Sequence, residues 1–193
     1  MVNVLDDPIE HAYEYATYAI LEHITGYEVK KVKIWQSMFK SYGAYRGTIH
    51  GSVEIVGLRK INDPDAILDL EWFLSTGASV LSERIAMRTY VLPNSKEIRL
   101  QDVQKSHTSF RENLPKSWAD EYSRILNDIE KISDKILDSH YLHAIHAIAY
   151  LLIARWDSKL HKPNVSASIS GNEVINFIEC AKVIFNHPKV LAF

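Results

Sequence analysis

Arg155 and His161 are the residues whose types and spacing best suit chemistry on a substrate. They stand in the segment ARWDSKLHKP with five residues between them, where an apolar helical pattern ends in a loop. An imidazole can move a proton at a 2′-hydroxyl or at a leaving oxygen, and a guanidinium can hold a phosphate. The pair therefore suits metal-free RNA cleavage, with Arg155 positioning the phosphate and His161 as the acid–base group. The alternative is that both are ordinary cations at a helix end, where they complement the helix dipole.

The Arg-x5-His spacing resembles the signature of the HEPN-type ribonucleases, an Arg followed by four to six residues and then a His on a helical bundle. The resemblance covers at most residues 116–186. The sequence departs from the family pattern at Trp156, where many members carry a polar residue, often Asn. The resemblance implies a metal-independent endoribonuclease or RNA-binding protein of a toxin or defence type. It also implies a homodimer in which two copies line a shared cleft.

A basic, aromatic segment, YEVKKVKIWQSMFKSYGAYR, lies between residues 27 and 46. Its lysines could contact phosphates while its rings stack on bases. The alternative is an amphipathic element with buried aromatic residues and solvated lysines. A basic surface could equally complement an acidic protein partner. The predicted residues for binding nucleic acid or a partner are Lys30, Lys31, Lys33, Trp35, Lys40 and Arg46.

Three histidines, His140, His143 and His146, follow one another at three-residue steps of a predicted helix. Neighbouring members could share a metal ion, but the rotation of the helix prevents all three from doing so. No Cys or carboxylate cluster with ligand spacing lies nearby in the sequence. We therefore expect core or interface histidines, no metal site and no cofactor.

Two further patterns have plain structural alternatives. The tripeptides His-Gly-Ser at 50–52 and His-Thr-Ser at 107–109 resemble the paired motifs of two-histidine phosphoesterases, but the second lies in a polar, loop-like stretch. The acidic residues between 63 and 71 resemble half of a metal-dependent nuclease site, but the lysine expected after Glu71 is missing. We interpret them as a turn and the polar face of a strand. The sequence has no Gly-rich phosphate loop and no Gly-x-Ser-x-Gly elbow, which disfavours ATP-driven and serine-hydrolase chemistry.

Composition places the chain among ordinary globular proteins. It has 193 residues, of which 47% are hydrophobic and 24% charged, and a net charge of −2. That charge gives no global attraction to nucleic acid or acidic lipid. It is unevenly distributed, however, with five acids and no Lys or Arg in residues 1–25 and seven bases in 26–60.

Three features bear on location. A single cysteine, Cys180, favours a reducing compartment, and the N-terminal residues MVNVLDDPIE predict no secretory signal. The longest apolar stretch, 144–154, is about half as long as a membrane span. We therefore expect a cytoplasmic protein.

Hydrophobic periodicity predicts the helices and strands that must position these residues. A helix is expected over 8–25, ending at Gly26. Residues 28–40 are compatible with a helix and with a strand, and the spacing of Val29, Val32, Trp35 and Phe39 favours a helix. Alternating apolar and polar residues predict strands over 48–57, 66–74, 84–92 and 97–101.

From residue 116 onward the pattern predicts only helices and loops. One helix carries an apolar stripe over 118–136, a second runs from His140 to about Asp157, a loop covers 161–170, and a last helix runs from Gly171 through Phe185. The expected fold is α+β, with an N-terminal helix and a small, mostly antiparallel sheet followed by a C-terminal antiparallel helical bundle. The expected parts are a mixed region, 1–115, and a bundle, 116–193, in one compact unit.

A second function stays open beside RNA cleavage or RNA binding. The acidic first helix and the basic segment after it could bind a partner in a non-enzymatic module, such as an immunity protein, an inhibitor or a regulatory subunit. The expected partner is thus RNA or an acidic protein.

Overall fold

The computed structural model describes residues 3–4, 8–41, 44–56, 122–157 and 165–186. The chain forms two compact units, the first from two separate stretches, 1–58 and 140–193, and the second from 59–139. The described residues contain helices and also a small sheet, so the predicted α+β class is confirmed.

Helix α1, Pro8–Ile24, confirms the helix predicted over 8–25. Its buried side chains recur at helical steps, and Ala12, Ala16 and Ile20 are fully buried. Gly26 follows the last turn of the helix and stops it, with a φ of 91° that favours glycine. The amide nitrogens of Gly26 and Tyr27 donate to the carbonyl oxygens of His23 and Glu22, which satisfies two carbonyls of the last turn.

Strand β2, Glu28–Ser41, corrects the helix predicted over 28–40. The register of its pairing shifts between Val29 and Lys31, which is a β-bulge. Because of the bulge, Val29 and Val32 are both buried although they stand three residues apart. This spacing imitates a helical period. The four-residue step from Trp35 to Phe39 fits two pleats of a strand as well as one turn of a helix.

Strand β3, Ala44–Val56, pairs antiparallel with β2 along its whole length and confirms the strand predicted over 48–57. A two-residue strand β1, Asn3–Val4, pairs parallel with β3 through Arg46 and Gly47. The strands predicted over 66–74, 84–92 and 97–101 lie outside the described residues.

Strand β4, Ser166–Ser170, corrects the loop predicted over 161–170. It pairs antiparallel with β2, so the order of the sheet is β1-β3-β2-β4. Ala167 and Ile169 are almost fully buried, and the serines alternate with them. Five residues were too few for the alternation to be distinguished from a serine-rich loop.

Two helices of the first unit, α3 and α4, match their predictions, with α3 at His140–Asp157 and α4 at Gly171–Phe185. Helix α3 packs against α1, α4 and β4. Ile145, Ile148 and Leu152 of α3 are fully buried in this core. Helix α2, Tyr122–Leu137, belongs to the second unit.

Helix α4 begins with a capping box. Ser170 is its N-cap, Glu173 returns a carboxylate to the Ser170 backbone, and the Ser170 hydroxyl accepts from the Glu173 amide. A Cβ atom added to Gly171 would clash with the carbonyl oxygen of Val29, beside the bulge of β2. Residue 171 has no side chain, and for this reason β4 can continue directly into α4 while both lie against β2.

Candidate nucleic-acid interface

The two faces of the antiparallel sheet differ in chemistry. On one face Val32, Ile34 and Ile49 are buried, and the ring of Tyr15 from α1 lies against Gly51. Ala167 and Ile169 of β4 continue this apolar face. Because side chains alternate across a strand, the residues between them must point to the opposite face.

That opposite face, here called the polar face, carries lysines, serines, an aromatic ring and an imidazole. Register places its residues in rows that cross β4, β2 and β3. Neighbouring rows are about 6.6 to 6.8 Å apart along a strand. Every member is half-buried or exposed. The first row is Ser170, Lys31 and Glu54, and the second is Ser168, Lys33 and Ser52. The third row is Ser166, Trp35 and His50, and the fourth is Ser37 and Thr48.

Trp35 lies in the middle of a connected cluster on the polar face. The Nζ of Lys33 is 5.2 Å from the centre of the Trp35 ring, within the range of a cation–π contact. The ring of His50 is 5.6 Å from the Trp35 ring and tilted by 31°. Ser37 Oγ and His50 Nε2 are 2.7 Å apart and share a hydrogen bond. The cluster combines a positive charge, an aromatic ring and hydrogen-bonding groups.

The predicted binding residues fall partly on this face. Lys31, Lys33 and Trp35 belong to it, while Lys30 is exposed at the bulge of β2. Lys40 pairs with Tyr45 and Arg46 with Phe39 in the register of the hairpin; the placement of their side chains lies outside what the structure describes. The sequence did not indicate the contributions of Ser166 and Ser168, because the predicted loop over 161–170 is strand β4. It did not indicate Ser37, because the helix predicted over 28–40 is strand β2.

Arg155 has a structural role in this unit. From the last turns of α3, its Nη2 donates to Glu173 Oε1 at 2.5 Å and its Nη1 donates to Glu173 Oε2 at 3.3 Å. Nη1 also donates to the carbonyl oxygen of Ser168, on the edge of β4. Arg155 thus ties α3 to β4 and α4. The Ser-x-x-Glu pattern at 170–173 was the signal in the sequence for the position of Glu173.

The same contacts change the acidity of Glu173. The hydrogen bond from Arg155, with the bonds from the Ser170 backbone and hydroxyl, lowers the pKa of Glu173 to about 2. The carboxylate is therefore ionised at any physiological pH. His161, the other half of the predicted catalytic pair, lies in the part of the chain that the structure does not describe, and the catalytic pairing stays a prediction.

The three histidines of α3 contact aromatic residues of neighbouring helices. His146 Nδ1 is 2.9 Å from the hydroxyl of Tyr13 in α1, and burial lowers the pKa of His146. His140 and His143 lie near the ring of Phe185 in α4. Among the described residues, no group of three or more His, Cys, Asp or Glu side chains could hold a metal ion.

Comparisons with known proteins give no relative. No family model matches the chain, and no curated protein and no solved structure matches it. No single helix in the described ranges is long and apolar enough to cross a membrane; the successive segments Lys131–Leu137 and His140–Trp156 meet the criteria of length and composition only when they are taken together.

Proposed function

We propose that this protein binds single-stranded RNA on the polar face of its sheet. The observation that carries the proposal is the cluster of Lys33, Trp35 and His50, with the Lys33 ammonium 5.2 Å from the Trp35 ring. Unstacked bases bind to proteins by stacking on aromatic side chains, while cations beside them hold the phosphates. Lys33 and the half-buried indole of Trp35 would supply both contacts to one nucleotide.

The surroundings of the cluster suit a polar ligand. Ser52, Ser166 and Ser168 lie beside Lys33 and Trp35 in the rows of the polar face, and each hydroxyl can donate and accept a hydrogen bond. Glu54, next to Lys31, is a carboxylate at one end of the face. We therefore expect a phosphate to lie toward Lys33 and away from Glu54.

Cleavage of the bound RNA is a separate proposal that binding does not need. It would require a HEPN-like bundle formed by residues 116–193 and the pair Arg155 and His161. The contacts of Arg155 with Glu173 and Ser168 give its guanidinium a structural role in the described unit. Binding on the polar face uses neither residue of the pair.

Binding can be measured by the fluorescence anisotropy of a labelled, unpaired RNA of about 12 nucleotides. We expect Trp35→Ala to weaken binding by roughly tenfold or more, since stacking on an aromatic ring is worth about 1–3 kcal/mol per base. We expect Lys33→Gln to weaken it by a smaller factor. Lys135→Gln, which removes the same charge from an exposed position of α2, is the matched control.

The outcome that contradicts the proposal is binding that is equal in wild type, Trp35→Ala and Lys33→Gln, or no binding by the wild type. Circular dichroism and thermal unfolding of each variant establish that it folds. If the wild type binds an acidic peptide or protein but not RNA, the basic surface serves a protein partner instead.

The alternative of a non-enzymatic protein-binding module is favoured by a different observation. Helix α4 exposes Val183 and Ile184, with 69% and 52% of each residue accessible. Large apolar side chains grouped on a surface can mark a protein contact. Val183→Ser should weaken the capture of a partner protein in a pull-down if α4 contacts that partner. Light scattering across a range of concentrations shows whether the partner is a second copy of the chain.

A further inference from the structure

The hydrogen-bonded pair Ser37–His50 occupies a defined position next to the proposed stacking residue. His50 is the residue directly opposite Trp35 across the hairpin, and Ser37 is two positions farther along β2 on the same face. His50 is exposed and Ser37 is half-buried. A group attached to a base on Trp35 would therefore lie within reach of this pair.

In either tautomer of His50, the Ser37 hydroxyl keeps one hydrogen-bonding position for a ligand, and Nδ1 of His50 lies on the side of the ring away from Ser37. If Ser37 donates to Nε2, then Nδ1 carries the proton and can donate, while the Ser37 oxygen can accept. If Nε2 donates to Ser37, the serine hydroxyl can donate onward and Nδ1 can accept. Because the Ser37 hydroxyl accepts from a ligand in one tautomer and donates to it in the other, its complement is a group that can do both, such as a hydroxyl.

We propose that Ser37, oriented by its hydrogen bond to His50, binds the ribose 2′-hydroxyl of the nucleotide whose base stacks on Trp35, and so selects RNA over DNA. This inference rests on the proposed function, since it needs a nucleotide on the polar face. The 2′-hydroxyl both donates and accepts, and it is the group by which a protein distinguishes RNA from DNA at one position. The 2′-hydroxyl is joined to the base through the ribose ring, which matches the short spacing of Trp35 and Ser37, two residues apart on the same face of β2.

A purely structural role for the pair predicts something different. A hydrogen bond between β2 and β3 would help to hold the hairpin together, and its loss would lower the stability of the protein. It would not change the ratio of two affinities measured on the same folded variant. The ratio of the dissociation constants for DNA and RNA is therefore the informative quantity.

The test uses the full chain and two labelled strands of identical, unpaired sequence and about 12 nucleotides. One strand is RNA, and the other is DNA with deoxyuridine in place of thymidine, so that the strands differ at the 2′ position alone. We expect the wild type to bind RNA about five- to tenfold more tightly, the range that one or two neutral hydrogen bonds supply.

Two variants remove the pair in different ways, and a third is the control. Ser37→Ala removes the hydroxyl, and His50→Phe removes both ring nitrogens while keeping an aromatic ring beside Trp35. Both should weaken RNA binding more than DNA binding and so bring the ratio close to one. Ser52→Ala, which removes a hydroxyl from the same face beside Lys33, should keep the ratio of the wild type.

The outcomes separate the two proposals. If the wild type binds RNA and DNA equally and Trp35→Ala weakens both, binding on the polar face stands and the role of Ser37 and His50 is wrong. A preference for RNA that survives in Ser37→Ala and His50→Phe also overturns it. If neither strand binds, the proposed function fails, and this inference fails with it.

Discussion

At the scale of single residues, the clearest result is that Arg155 is bonded to a carboxylate of its own chain. The arginine that the sequence predicts to bind a phosphate makes a bidentate contact with Glu173. Its side chain is 37% exposed and that of Glu173 is 35% exposed, so solvent screens part of the attraction. The geometry is bidentate, and Arg pairs of this kind are the more stable ones among ion pairs.

We expect the stability of the protein to fall in acid, because this contact is lost when Glu173 is protonated. The folded-state pKa of Glu173 lies below its usual 4.5, at about 2. Its contribution to stability is therefore present above pH 4.5 and is lost as the pH falls toward 2. In urea unfolding, Glu173→Gln should lower the free energy of unfolding by about 1 kcal/mol at pH 7, a figure reduced for solvent screening, and by less at pH 3.

Glu179→Gln is the control for the acid experiment. Glu179 accepts from Lys182 at 2.6 Å on the surface of α4, and its side chain is 61% exposed. We expect a smaller effect than at Glu173, because the pair lies in solvent and joins residues of one helix. Equal effects of the two substitutions at both pH values would show that Arg155 and Glu173 do not tie the elements together.

At the scale of elements, the junction of β4 and α4 against β2 depends on the absence of a side chain. The Cβ position at residue 171 coincides with the carbonyl oxygen of Val29, a backbone atom that a rotamer change cannot move. The capping box of α4 fixes the helix start at the same place. A side chain at 171 must therefore displace either the bulge of β2 or the first turn of α4.

We accordingly expect Gly171→Ala to destabilise the first unit by roughly 1–3 kcal/mol, the range for overpacking a close contact. Asn172→Ala is the matched control, because residue 172 is the next one in α4 and is exposed. It should change the free energy of unfolding by less than about 0.5 kcal/mol. Urea unfolding followed by circular dichroism measures both, and a Gly171→Ala variant as stable as the wild type would contradict the packing.

At the scale of the whole molecule, the net charge of −2 limits any attraction to nucleic acid to local contacts. The lysines of β2 near the polar face are Lys30, Lys31 and Lys33. If each neutralises one phosphate of a single strand, the logarithm of the binding constant should fall with the logarithm of the salt concentration with a slope of about −2.

Lys33→Gln should reduce the steepness of this slope by about 0.7, the contribution of one phosphate contact. Lys135→Gln should leave it as it is. The measurement repeats the anisotropy titration at several salt concentrations. A steep slope of about −5 or beyond would mean that many more cations contact the RNA than the polar face provides.

Local sequence determined the helices of this protein well. Hydrophobic periodicity, with Gly26 after the pattern, was enough for α1, and apolar patterns also located α3 and α4. These signals are local, because a helix satisfies its backbone within one segment. The α+β class and strand β3 followed from periodicity in the same way.

Tertiary structure decided the sheet around β2 and, with it, the candidate site. The bulge between Val29 and Lys31 gave β2 a helical spacing, and β4 was too short to be recognised before its pairing with β2 was known. The partnerships of Arg155 with Glu173, and of Ser37 with His50, likewise join residues on different elements. Strand pairing and side-chain contacts of this kind depend on register between distant segments, which no local pattern in the sequence specifies.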